Sequence, residues 1–155
     1  MEKKSKLRTY RTFKAKLCLE KYLLTSGSFA GRRLMTTLRS GTNDLMIEKG
    51  RWCKMNENDR TCQQCDMKVV ESEEHMVAEC PRYASERLDL FAQIYHHSNN
   101  KFNLLTIDKH QIFLLLINGT GDELEMQIYK LFQSFLVKAF IEKERLLVIN
   151  QRGIG

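Results

Sequence analysis

The chain has 155 residues, 43% of them hydrophobic, with 25 Lys and Arg against 19 Asp and Glu and a formal net charge of +6. That length and apolar content suffice for one buried core and argue against a disordered chain. The longest apolar run, Ile112 to Ile117, falls far short of the roughly 20 residues that cross a bilayer, so no membrane partner is expected.

One Pro and eight Gly are too few breakers for a strand-rich domain, whose turns need them often, so a mainly α fold is expected. Five Cys is an odd count with no apolar signal segment before it. Free thiols and an intracellular location, nuclear or cytoplasmic and not secreted, are expected. Charge is uneven. Residues 1–60 hold 15 basic and 6 acidic side chains, net +9, and the remainder hold 10 and 13, net −3. A basic half is the footprint of a phosphate-bearing partner such as RNA or DNA, although a solvated surface gives the same count.

In chain order, residues 6–24 read as an amphipathic helix, with Leu7, Tyr10, Phe13, Leu17, Tyr22 and Leu24 near one stripe and Lys6, Arg8, Arg11, Lys14 and Lys16 around the others. Ser28 caps a second helix through about Leu38, its buried side being Phe29, Leu34, Met35 and Leu38. Gly41 ends that helix in the left-handed position, and a short turn follows at Leu45–Ile47.

Between Gly50 and Cys80 periodicity fades and polar residues dominate, as expected where a metal replaces a hydrophobic core. Here Cys62, Cys65, His75 and Cys80 fall in the spacing C-x2-C-x9-H-x4-C. Three thiolates and one imidazole match the tetrahedral preference of Zn²⁺ and leave no position for water, so a closed structural site is expected. Met67, Val69, Val70, Met76 and Val77 are available to pack around it. Ser72 is placed to cap the short helix carrying His75, with Glu73 and Glu74 in its first turn.

Pro81 suits the start of a helix running to about Tyr95, with Ala84, Leu88, Phe91 and Tyr95 at helical spacing. A further helix is expected from Asp108 to Asn118. The last has Asp122 and Glu125 as a capping box and Leu124, Ile128, Leu131, Phe135, Ala139 and Leu146 on one stripe. Tyr129, Phe132 and Phe140 lie off that stripe, which makes the helix central to its own bundle or places it against a protein partner. The expectation is a helical bundle interrupted by a small CCHC zinc module, one compact domain in three parts: basic helices at 1–50, the zinc module at 51–80 and C-terminal helices at 81–150.

One ordered combination of residues extends across much of the chain. It comprises Leu38-Arg39-Ser40-Gly41, then Leu45 and Ile47-Glu48-Lys49-Gly50-Arg51-Trp52, then Arg60, Cys62, Cys65, Glu73-Glu74-His75, Glu79-Cys80-Pro81, Tyr83 and Arg87. It closely resembles the stretch after the polymerase domain in non-LTR retrotransposon reverse transcriptases, which reads L-R-x-G, L-x-I-E-x-G-R-[WYF], C-x2-C, D-E-x-H and C-P-x-Y. The resemblance implies a zinc knuckle whose flanking helices contact template RNA or target DNA, with Cys62, Cys65, His75 and Cys80 matching the family's ligands. Cys53 and Met76 depart from that pattern. No Tyr-x-Asp-Asp is present, so the chain resembles a tail detached from the polymerase core.

On this basis Arg32, Arg33, Arg39, Lys49, Arg51 and Arg60 are expected to contact phosphates, and Trp52 either stacks on a base or anchors the core. The arginines have few acidic neighbours at i+3 or i+4. A zinc-fixed protein-interaction scaffold using the C-terminal helices is the alternative. No enzyme is expected: His96, His97 and His110 read as surface histidines, Cys18 and Cys53 as packing thiols, and no nucleophile context accompanies them.

Overall fold

A computed structural model describes residues 7–14, 16 and 18–153. Among them the regular structure is helical: α1 (Arg8–Phe13), α2 (Phe29–Ser40), α3 (Met46–Trp52), α4 (Ala84–His97), α5 (Lys109–Asn118) and α6 (Glu125–Arg152). Short 3-10 turns at Lys21–Leu24, Glu57–Asp59, Pro81–Tyr83 and Leu104–Thr106 and a π-helical turn at His75–Glu79 join them. β-pairing among the described residues is limited to an isolated antiparallel bridge between Thr61 and Val70. The fold is mainly α, and no described helix is long and apolar enough to cross a membrane.

Helix α6 is the axis of the bundle. Ile128, Tyr129, Phe132, Phe135, Leu136, Ala139 and Phe140 are all buried along it, so its two apolar sides face neighbours on both flanks, with α2, α4 and α5 packed against it. Its buried Gln133 is satisfied: the amide donates to the Tyr22 carbonyl at 3.0 Å and accepts from the Thr25 hydroxyl at 2.9 Å. Tyr129 donates to the Asn118 carbonyl at 2.6 Å and so fixes the end of α5.

Local signals hold where the partner is a few residues away. Ser28 Oγ accepts from the Gly31 N–H at 3.0 Å, Asp108 accepts from the His110 N–H at 2.9 Å, and Gly41 takes φ +67° at the end of α2.

Elsewhere the pattern misleads. The helix expected over 6–24 stops at Phe13, because the Lys14 ammonium turns to Glu20 and to the Cys18 carbonyl while Tyr22 enters the core. Lys6, Leu17 and the side chains of Arg8 and Phe13 lie outside the described residues. Phe29, expected inside, is 75% exposed. Helix α4 buries Arg87, Leu90, Phe91 and Ile94, whereas Leu88 and Tyr95 face out. The shift follows from Arg87, whose guanidinium donates to the Cys80 carbonyl at 2.9 Å and so occupies a buried position that hydropathy assigns to solvent. At α6 the capping box does not form. Asp122 accepts from the Leu124 N–H, while Glu125 accepts from Gly121 and pairs with Lys21 at 2.9 Å.

Candidate metal centre

The segment bearing the Cys and His residues is folded into the bundle's own core. Cys62, Met76, Val77 and Cys80 belong to one buried cluster with Met35, Leu38, Leu90 and Ile94. Its first half is a tight loop: Cys62 N–H donates to the Val69 carbonyl at 2.8 Å and Glu71 N–H to the Arg60 carbonyl at 2.9 Å, so the chain returns alongside itself with Cys62 and Cys65 at the bend. The Gln64 N–H points at Cys62 Sγ, 3.4 Å away.

The second half begins at Ser72, whose hydroxyl accepts from the His75 N–H at 3.1 Å as the sequence indicates. The turn that follows is wider than an α-helix. Cys80 N–H reaches the His75 carbonyl at 2.7 Å, an i to i+5 bond, and this π-type turn returns Cys80 beneath His75. Single π turns recur at functional sites for this reason: they realign two side chains that an α turn would splay.

The outcome is a cluster in which one donor atom each from Cys62, Cys65, His75 and Cys80 lies within 4.8 Å of every other. Cys62 Sγ and Cys80 Sγ are 3.9 Å apart, and Cys65 Sγ is 3.5 Å from His75 Nε2. Cys62, His75 and Cys80 are buried and Cys65 is half-buried. These four residues can hold a metal ion. Crowding opposes three thiolates without a cation between them. The Cys62 thiol is pushed up to about 12, first by its hydrogen bond with Cys80 and then by burial, while the same bond lowers Cys80.

Beyond the ligands, His75 Nδ1 is 3.1 Å from a Glu79 carboxylate oxygen, and the other oxygen of Glu79 pairs with Lys109 at the start of α5. Lys109 first, and His75 second, hold the Glu79 carboxyl below its usual range. Neither Glu79 nor Lys109 stands out in the sequence as a site residue. The i, i+4 spacing from His75 to Glu79 is the one local signal of the contact.

Three of the basic residues expected on a phosphate-binding face are turned inward. Arg39 is 3% exposed, pairs with Glu20 at 2.9 Å, donates to the Ile117 carbonyl and lies 4.9 Å from the Tyr22 ring centroid. Arg60 donates to the carbonyls of Ile47 and Met55, and Arg32 to those of Thr25 and Gly27. Buried carbonyls at helix ends and in loops need donors, and a guanidinium carries five.

The others remain at the surface. Arg33 is exposed, Lys49 pairs with Asp44 at 3.2 Å, and Arg51 pairs with the buried Glu48 at 2.7 Å. Trp52 is no core anchor: it is 73% exposed, with the Arg51 guanidinium 5.0 Å from its ring centroid. Cys18 and Cys53 are exposed as well, so neither is a packing thiol. Compared with known proteins, the chain matches no family model, no curated sequence and no solved structure.

Proposed function

We propose that Cys62, Cys65, His75 and Cys80 hold one Zn²⁺ and that the module so fixed binds RNA or single-stranded DNA without catalysis, as the retroelement reverse transcriptase tails it resembles are expected to do. Zinc–sulfur bonds of about 2.3 Å and zinc–nitrogen bonds of about 2.1 Å set tetrahedral edges of about 3.8 Å between sulfurs and about 3.6 Å between sulfur and nitrogen. The separations of 3.9 Å and 3.5 Å fit that frame. Three soft thiolates also favour zinc over the hard, oxygen-seeking cations.

The nucleic-acid half rests on one observation, the exposed ring of Trp52 backed by Arg51 at the end of α3. An aromatic of this size left largely in water contributes little to the core. Flanked by Lys49 and the exposed Lys54, it offers a face for base stacking beside cations for the backbone. Trp52 is the single Trp of the chain, so its fluorescence reports this surface alone. Adding a single-stranded oligonucleotide to zinc-loaded protein is expected to quench it saturably, and unchanged fluorescence with undetectable binding would contradict the reading.

A protein-interaction scaffold is the second reading, favoured by a different surface. Tyr129, Phe132 and Phe140, which left α6 either central to its own bundle or set against a partner, are buried within the bundle. A groove of about 520 Å³ instead runs between α2 and α6, walled by Phe29, Leu34, Val137, Phe140 and Ile141, with Arg33, Asp44 and Glu144 also lining it.

A further inference from the structure

The first turn of α5 is fastened to the metal-bearing turn at two points. Lys109 pairs with Glu79, and His110 Nδ1 lies 2.8 Å from a Glu74 carboxylate oxygen. Glu74 and Glu79 flank the metal-facing His75 on one short stretch of chain, and α5 in turn is anchored in the bundle by Ile112, Phe113, Leu116 and Ile117. An imidazole presents Nε2 to a metal only when Nδ1 carries the proton, and that proton needs an acceptor in the ring plane. Glu79 supplies one at 3.1 Å while Nε2 faces Cys65.

We infer that Glu79 and Lys109 are positioning residues for the metal, a carboxylate that fixes the tautomer and direction of His75 and an ammonium that fixes the carboxylate, so that α5 sets how tightly the ion is held. Lys109 is 30 residues from Glu79 in sequence, and the contact exists only because α5 packs against the π turn. The side chain of Glu79 is 24% exposed and that of Lys109 57%, so both can be replaced without opening the core. The inference rests on the zinc reading above, and the test separates the two.

Zinc affinity of the full chain is measured by competition with a chromophoric chelator, and the same proteins loaded with Co²⁺ are compared by their visible absorption. Wild type is expected to bind one equivalent. Glu79→Ala is expected to weaken binding about 10- to 100-fold and to alter the Co²⁺ bands, the range over which outer partners of metal-bound histidines act. Lys109→Met should weaken binding by a smaller factor, and Lys109→Arg should restore it. The helical circular dichroism of the zinc-saturated variants should equal that of wild type. Wild type that binds one equivalent while Glu79→Ala keeps the same affinity and the same Co²⁺ spectrum would overturn the inference and leave the zinc reading standing. Wild type that binds no metal would overturn both.

Discussion

The guanidinium arm of Arg60 lies across Gly50, where an added Cβ would meet Arg60 Cγ at 2.4 Å. Gly50 is therefore what lets Arg60 reach the carbonyls of Ile47 and Met55 and close the end of α3. Gly50→Ala should displace that arm at a cost of about 1–3 kcal/mol, readable in urea unfolding. Arg39 and Trp52 divide two roles that the sequence merges under one expectation. Arg39→Met removes one of the two cations on Glu20 and the donor to the Ile117 carbonyl and should destabilise the fold by about 3 kcal/mol. Trp52→Ala should leave stability within about 0.5 kcal/mol and weaken oligonucleotide binding by about 1–3 kcal/mol, measured by anisotropy of a labelled strand. The Cys62, Cys65, His75 and Cys80 cluster is legible in the sequence because cysteine and histidine spacing is itself the signal. The inward arginines are not, because Glu20 and Arg39 meet across 19 residues and a helical-wheel count sees only i+3 and i+4.

Among elements, a buried ion pair ties the Cys/His segment to the bundle. Lys143 on α6 pairs with Glu71, both side chains almost wholly out of water, and the other oxygen of Glu71 accepts from the Met46 N–H at 2.7 Å at the start of α3. One carboxylate so joins α3, the cysteine loop and the far half of α6. Lys143→Met leaves Glu71 a buried charge without its cation and should cost about 3–5 kcal/mol. Adding Glu71→Gln should recover part of that stability, a coupling that a double-mutant cycle on thermal or urea unfolding measures. The same geometry explains which helices the sequence locates well. α2 and α5 are bounded by Ser28, Gly41, Asp108 and Gly119, whose effects act within a turn. α1 and α4 differ from the sequence pattern in extent or register because Lys14 reaches the Cys18 carbonyl and the Glu20 carboxylate and Arg87 reaches the Cys80 carbonyl, polar contacts that hydropathy periodicity does not register.

For the molecule as a whole, the cysteine loop and π turn lack a core of their own and share that of the helices, so the Cys/His segment leans on the bundle more than the bundle leans on it. Chelation should loosen residues around 60–80 while α2, α4 and α6, which bury Met35, Leu38, Leu90, Ile94, Phe132 and Leu136 against one another, keep part of their far-ultraviolet helical signal. Complete loss of that signal would contradict an architecture in which the helices own their core. The net +9 of residues 1–60 overstates the free positive surface, since Arg32, Arg39 and Arg60 cap carbonyls inside the fold. Arg51 is held by the buried Glu48, so the surface cations within reach of a phosphate backbone centre on Arg33, Lys49 and Lys54. The most direct measurement is therefore the affinity of zinc-loaded protein for a single-stranded RNA across a salt series. Log affinity should fall linearly with log salt, and replacing Arg33, Lys49 and Lys54 together by Gln should flatten the line by about 0.7 for each phosphate no longer neutralised. A folded, zinc-loaded protein with no detectable affinity for RNA or single-stranded DNA at low salt would contradict the account.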